Sequence, residues 1–187
     1  MRIVGGSRRG TRLAEPGAGD PAARLRPTSD RAREALFNLL AHGPYGDPVT
    51  GARVLDLFAG TGALGLEALS RGAVHAAFVE TGRPALALLA ANIARLRAAA
   101  ETEVIAADAT RLGPRKAAPF GLVFLDPPYG RGLGEQALAA ARAGGWLAPG
   151  ALVAWEEGGA VTPPAGFALL DARRYGAATL TLLRSLA

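Results

Sequence analysis

The sequence predicts an α/β protein with a doubly wound, mostly parallel sheet, a C-terminal antiparallel strand pair and a small basic N-terminal arm. From residue 53 onward, short apolar runs typical of buried strands alternate with runs of helical periodicity. After Pro164 the chain has two strand-like runs separated by Gly176, with no room for another helix. The basic arm is indicated by a concentration of arginines before residue 34.

The elements follow in chain order. A first helix is predicted within RPTSDRAREALFNLLAHG, with Thr28, Ser29 or Asp30 as its cap and Gly43 at its end. The parallel strands are predicted at Arg53–Phe58, Ala76–Glu80, Glu103–Ala106, Gly121–Leu125 and Ala151–Trp155. The intervening helices are predicted at Ala63–Ser70, Pro84–Ala98 and Leu133–Ala143.

Composition excludes several classes of site and location. The 187 residues suit one main core, and the absence of cysteine excludes disulfides and thiol chemistry. The isolated His42 and His75 have no metal-ligand spacing, so no metal is expected. No segment has the apolar length of a signal peptide or a membrane span. We expect a cytoplasmic monomer that does not contact membranes.

Positive charge is concentrated at the N-terminus. Residues 1–33 carry eight basic and three acidic residues, a net charge of +5 that equals the formal charge of the whole chain. Lys116 is the only lysine. Guanidinium groups bind phosphates bidentately and stack on bases. The clustering favours a nucleic-acid contact over a solvated tail.

A glycine-rich turn follows the first strand of the sheet. Gly60, Gly62 and Gly65 fit the G-x-G-x-x-G spacing, which suits a structural turn, a dinucleotide site or a site for a nucleoside with a sulfonium. Asp56 favours the last, because a carboxylate is unfavourable beside a pyrophosphate and favourable beside a sulfonium and an ammonium. Asp56 followed by Phe58, Ala59, Gly60, Thr61 and Gly62 therefore predicts a site for S-adenosylmethionine.

Two further strand ends supply polar groups for a nucleoside. Glu80 ends the second strand about 20 residues beyond the glycines, where a carboxylate can accept both ribose hydroxyls. Asp108 follows the third strand and is placed to bind the adenine amino group, with the Ala109 backbone beside it. The alternative for Asp108 is a solvated loop acid.

The stretch LDPPYG follows the fourth strand. The Asp126 carboxylate and the Pro127 carbonyl can hold the hydrogens of an exocyclic amino group on a base, while Pro127 and Pro128 keep the corner rigid. Tyr129 can stack on a base that has left its own stack. The alternative is a strand-terminating proline turn, which leaves the coincidence with Asp56 and Glu80 unexplained.

Six stretches are similar to those of one known family: RIVGGSRRGTRL, LRPTSDRAREALFNLL, LDLFAGTGALGLEALSRGA, FLDPPYGRGL, GWL and RRYGAATL. Through them nearly the whole chain resembles the bacterial RsmD family, which methylates the exocyclic amino nitrogen of a guanine in small-subunit ribosomal RNA. The cofactor and D-P-P-Y motifs also occur in amino methyltransferases that act on DNA adenine. The two N-terminal stretches are what indicate this family.

The resemblance implies a basic RNA-binding arm over residues 1–50 and a Rossmann-like S-adenosylmethionine-dependent methyltransferase domain over residues 51–187. It implies that residues 126–129 hold the target amino group and that 16S ribosomal RNA, in a partly assembled small subunit, is the substrate. It also places Arg8, Arg9, Arg26 and Arg31 in the RNA-facing arm. A DNA adenine methyltransferase and a non-catalytic ribosome-assembly factor are the alternatives.

Overall fold

The computed structural model describes residues 1–16 and 30–186, which form a seven-stranded sheet flanked by helices. Helices α1 to α4 are Asp30–His42, Ala63–Ser70, Arg83–Arg95 and Leu133–Ala143. Strands β1 to β7 are Arg53–Leu57, His75–Glu80, Thr102–Ala106, Phe120–Leu125, Leu147–Glu157, Phe167–Tyr175 and Ala178–Ser185. The predicted α/β class is confirmed.

The sheet order places one crevice at its centre. The order is β3-β2-β1-β4-β5-β7-β6, with the first five strands parallel and β7 antiparallel to both neighbours. Leu57 at the end of β1 pairs with Val79 of β2 and Leu125 of β4. The chain runs outward from β1 to β3 and then returns to β4 on the other side. Ligands bind α/β sheets at such a switch point.

Helices cover both faces of the sheet because its strands are apolar on both sides. Phe37 of α1, Leu66 of α2 and Leu89 of α3 pack on one face. Leu138 of α4 packs with Trp155 on the other face. Burial of each such side chain contributes about 1.5–3 kcal/mol. Truncating the fully buried Leu66 to alanine should therefore cost about 2–5 kcal/mol, because it also leaves a cavity.

The first residues of the arm form a hairpin that belongs to the core. An antiparallel bridge joins Arg2 to Arg12, and the Ile3 amide donates to the Thr11 carbonyl at 2.9 Å. The side chains of Ile3 and Leu13 are buried in the core on the α1 face. The N-terminal hairpin is therefore anchored by apolar burial.

A buried carboxylate on α2 fastens this hairpin. Glu67 is fully buried and accepts hydrogen bonds from the backbone amides of Val4 and Gly5, both at 2.8 Å. Its other partner is the Arg71 guanidinium at 2.7 Å. A buried charge is stable only when it is paired and hydrogen-bonded in this way.

Two elements, α3 and β5, differ from their predicted bounds by more than one residue. Helix α3 ends at Arg95 rather than at Ala98, because Arg97 adopts a left-handed conformation with φ of 53°. Strand β5 is longer than predicted because pairing extends it, from Leu147 beside Phe120 to Glu157 beside Thr179. Within residues 1–16 and 30–186, no helix has the length and apolar character needed to cross a membrane.

Candidate active site

A cavity of about 720 Å³ opens at the carboxyl ends of the parallel strands. A volume of this size suits a small-molecule cofactor. All four residues of the D-P-P-Y corner line it: Asp126, Pro127, Pro128 and Tyr129. It is also lined by most of the residues predicted to bind the cofactor: Asp56, Phe58, Gly60, Thr61, Glu80, Asp108 and Ala109. The structure thus brings together side chains from the ends of four strands.

The turn after β1 is built from left-handed backbone. Phe58, Gly60 and Gly62 have φ values of 60°, 55° and 78°. Phe58 is the costly member, since a non-glycine residue in this conformation stores strain that often accompanies a binding site. Gly62 does not line the cavity but precedes α2, where a Cβ would lie 2.4 Å from the Leu89 Cδ1 atom. Gly62 therefore shapes the turn, and its contact with the cofactor stays a prediction.

Asp56 lies in the buried floor of the cavity with 2% exposure. Its Oδ2 atom accepts a hydrogen bond from the Gly65 amide at 2.9 Å. Burial raises the pKa of Asp56 well above its usual value, and the nearby Asp126 and Glu80 charges add to this rise while the amide opposes it. A cation placed beside Asp56 would stabilise its carboxylate.

Glu80 ties the turn after β1 to the end of β2. Its Oε2 atom accepts from the Gly60 amide at 2.9 Å, and its Oε1 atom accepts from the amides of Thr81 and Gly82 at 2.8 and 2.7 Å. These bonds orient both oxygens at the cavity wall. Since each carboxylate oxygen has two lone-pair sites, Oε1 is fully used and Oε2 retains one site for a ribose hydroxyl.

Asp108 and Ala109 form the wall after β3. The Asp108 Oδ1 atom accepts from the amide and the hydroxyl of Thr110, at 2.9 and 2.7 Å. These bonds lower the pKa of Asp108. Asp108 is thereby fixed as the cap of the short 3₁₀ turn Ala109–Arg111, in which Ala109 is buried.

The D-P-P-Y corner is held by strand β5. The Tyr129 hydroxyl donates to Glu156 Oε1 at 2.7 Å, and the Gly130 amide donates to Glu157 Oε1 at 3.0 Å. Burial raises the pKa of Tyr129, and the hydrogen bond to Glu156 raises it further. The ring also lies against Gly158, where a Cβ would approach to 3.0 Å. Tyr129 is thus fixed as a neutral ring at the cavity.

Several residues of the site are not among those predicted from the sequence. Thr81, Thr110 and Arg131 line the cavity, and their positions one or two residues after predicted site residues are a signal that could have found them. Glu156 and Glu157 have no such signal. Their contact with the corner depends on β5 lying beside β4 in the sheet.

Three of the four arginines predicted to contact RNA, Arg8, Arg9 and Arg31, lie in the described part of the chain and outside the cavity lining. Arg8 forms an ion pair with Glu101 at 2.7 Å. Arg9 is exposed on the N-terminal hairpin, and Arg31 is exposed in the first turn of α1. Arg26 falls outside the described residues. Within the described parts of the chain, no three metal-ligating side chains form a group.

The polar groups that line the cavity fit S-adenosylmethionine. Asp56 offers a carboxylate to a cationic ligand, Glu80 offers acceptors to a ribose, and Asp108 offers an acceptor to an adenine amino group. The left-handed turn at Gly60 brings backbone, rather than a side chain, against the ligand space.

Comparisons with known proteins agree with this geometry. The family described as conserved hypothetical protein 95 matches residues 1–184. A curated relative, ribosomal RNA small subunit methyltransferase D of Escherichia coli, is 42% identical over 172 residues, which cover 90% of this chain and 82% of the relative. The protein of the same name from Haemophilus influenzae is 35% identical over 99% of this chain and 94% of its own.

A solved structure gives the same result. The structure described as "Putative methyltransferase yhhF from Escherichia coli" is 39% identical, with a TM-score of 0.81, and the match covers 100% of this chain and 98% of that chain. The sequence-based resemblance and the methyltransferase class are confirmed.

Proposed function

The chain belongs to the family of conserved hypothetical protein 95, and on that premise we propose that it transfers a methyl group from S-adenosylmethionine to the N2 amino group of a guanine in small-subunit (16S) ribosomal RNA. One observation carries the proposal. Asp126 and Tyr129 line the same cavity as Asp56 and Glu80, so a methyl donor and a flipped base share one space. The family's named relatives supply the ribosomal substrate.

The cofactor side would be held by carboxylates. Asp56 faces the cationic part of S-adenosylmethionine, Glu80 accepts from the ribose hydroxyls, and Asp108 with the Ala109 backbone binds the adenine. S-adenosylmethionine supplies a methyl group that is already activated as a sulfonium. The protein therefore contributes mainly positioning and alignment of the amino group.

The target side would hold the amino group. The lone pair of an exocyclic nitrogen is delocalised into the ring, which makes it a poor nucleophile. Asp126 and the Pro127 carbonyl accept its hydrogens and draw the nitrogen toward tetrahedral geometry. Tyr129, neutral and held by Glu156, stacks on the base, a contact worth about 1–3 kcal/mol.

The basic arm would contact RNA phosphates through Arg8, Arg9, Arg26 and Arg31. The exposed Arg9 and Arg31 are free to do so without leaving the core-packed hairpin and α1. The proposal also holds that the chain acts as a monomer, in the cytoplasm, on a partly assembled small subunit. Shape around the target nucleotide, read by the arm, would select the guanine.

The test is transfer of label from tritiated S-adenosylmethionine to small ribosomal subunits that lack the modification, followed by nucleoside analysis. Naked 16S ribosomal RNA and duplex DNA are assayed in parallel. Label in N2-methylguanosine from either ribosomal substrate is expected. Label only in DNA adenine would contradict the guanine assignment. Tight cofactor binding without transfer to any substrate would favour a non-catalytic assembly factor.

A further inference from the structure

Arg131 stands out in the cavity wall by its charge. Among the described residues that line the cavity it is the one arginine or lysine, while Asp56, Glu80, Asp108 and Asp126 supply carboxylates. Its side chain is exposed and forms no ion pair or hydrogen bond with the parts of the chain that the structure describes. A guanidinium with unused donors at the mouth of the site is available to a ligand.

The backbone on both sides of Arg131 has a defined conformation in the structure. Gly130 and Gly132 adopt left-handed conformations, with φ of 70° and 64°. The Gly130 amide is bound to Glu157, and Gly132 directly precedes α4. Arg131 therefore lies in a short turn between two glycines, two residues after Tyr129.

The chemistry of guanine matches this placement. Guanine carries N2 on one side of its ring N1 and O6 on the other, with N7 next to O6. When N2 is held by Asp126, the O6 and N7 acceptors point away from that carboxylate. A guanidinium pairs bidentately with O6 and N7, whereas adenine presents an amino donor in place of O6.

We propose that Arg131 determines base specificity by donating two hydrogen bonds to O6 and N7 of the target guanine. The inference rests on the proposed function, because it assumes a guanine with its N2 atom at the D-P-P-Y corner. It also gives the cavity a basis for preferring guanine to adenine.

The experiment changes the base and the protein together. Small subunits are reconstituted with 16S RNA in which the methylated guanine, once located, is replaced singly by 7-deazaguanine or by 2-aminopurine. The first lacks N7, and the second lacks O6; both keep the N2 amino group. The catalytic efficiency of methyl transfer is measured for the wild type, Arg131→Ala and Arg131→Lys. Arg83→Ala, at an exposed position outside the cavity lining, is the matched control.

The wild type and Arg83→Ala should prefer guanine over 2-aminopurine by about 10- to 100-fold. Arg131→Ala should lose about the same factor on guanine, and its preference for guanine over 2-aminopurine should shrink by a comparable factor. Since 2-aminopurine also lacks the N1 proton, the change in this ratio on mutation, rather than the ratio itself, reports on Arg131. Arg131→Lys should restore little of the preference, because it keeps the charge without the planar fork.

Three outcomes would overturn the proposal. An equal loss on all bases would assign Arg131 to an RNA phosphate. A large rise in the dissociation constant of S-adenosylmethionine, measured without RNA, would assign it to the cofactor carboxylate. Unchanged catalytic efficiency of Arg131→Ala on every base would remove it from recognition. If the wild-type protein forms no N2-methylguanosine in small subunits that carry the natural guanine, the proposed function itself is contradicted.

Discussion

The two sides of the cavity are held in different ways. We call Asp56–Thr61, Glu80 and Asp108–Ala109 the cofactor side, and Asp126–Tyr129 the target side. On the cofactor side, backbone amides close along the chain hold the carboxylates, as when Gly65 binds Asp56 nine residues earlier. On the target side, Tyr129 depends on Glu156, 27 residues away. The cofactor side is therefore held mainly by nearby amides, with one bond from Gly60 to Glu80 joining the neighbouring strands β1 and β2, while the target side depends on a partner in β5.

The largest effect should come from Asp126→Ala, which removes an acceptor of the target amino group. Loss of one preorganised group at a reaction centre lowers turnover by on the order of 10²–10³. The affinity for S-adenosylmethionine, measured by calorimetry, should stay within a few-fold because the two sides are held separately. Asp126→Asn keeps one acceptor oxygen and should retain more activity. A large loss of cofactor affinity in either variant would contradict the division into two sides.

The cofactor side should respond most strongly to Glu80→Gln. The substitution removes the charge and leaves one amide NH₂ facing either the ligand or the donors that Glu80 now binds, such as the Gly60 amide. Hydrogen bonds to charged groups contribute about 1.5–3 kcal/mol, so the dissociation constant of S-adenosylmethionine should rise roughly ten- to a hundredfold. Calorimetry measures it directly. Glu135→Gln, on α4 and outside the cavity lining, should bind like the wild type.

The same contrast explains what could be predicted from the sequence. The parallel strands were found because their apolar runs are continuous, and the cofactor side was found because its residues follow strand ends at fixed offsets. Glu80 ends β2 and Asp108 follows β3. The structure ends both strands at the predicted residues, Glu80 and Ala106.

Partners that depend on sheet order could not be predicted. Glu156 and Glu157 belong to a strand whose predicted end was Trp155, and nothing in their own neighbourhood indicates that they contact residues 129 and 130. The buried Glu67 is a similar case, because its partners Val4 and Gly5 lie more than 60 residues earlier in the chain. Long-range polar contacts of this kind leave no periodic signal.

Glu156→Gln tests the long-range support of the target side. The substitution removes the negative charge of the acceptor and so weakens the hydrogen bond that the Tyr129 hydroxyl donates to residue 156. Tyr129 should therefore lose part of its fixed orientation. The catalytic efficiency on small subunits should fall about three- to tenfold, with cofactor affinity unchanged. In a double-mutant cycle, Tyr129→Phe and Glu156→Gln should show non-additive losses, since each removes the same bond. Additive losses would mean that Glu156 acts on RNA independently of Tyr129.

The smallest effect should come from the arm, which lies outside both sides of the cavity. Combining Arg9→Ala with Arg31→Ala removes two exposed guanidinium groups, so the slope of log affinity for 16S RNA against log salt should become shallower by about 1.4–1.8. Filter binding over a salt series measures the slope. Arg8→Ala is the comparison, because the Arg8 guanidinium already pairs with Glu101 and should release fewer counterions. An unchanged slope in the double variant would mean that Arg9 and Arg31 are solvated and do not contact RNA. An Arg8→Ala effect as large as that of the double variant would mean that the ion pair between Arg8 and Glu101 opens when RNA binds.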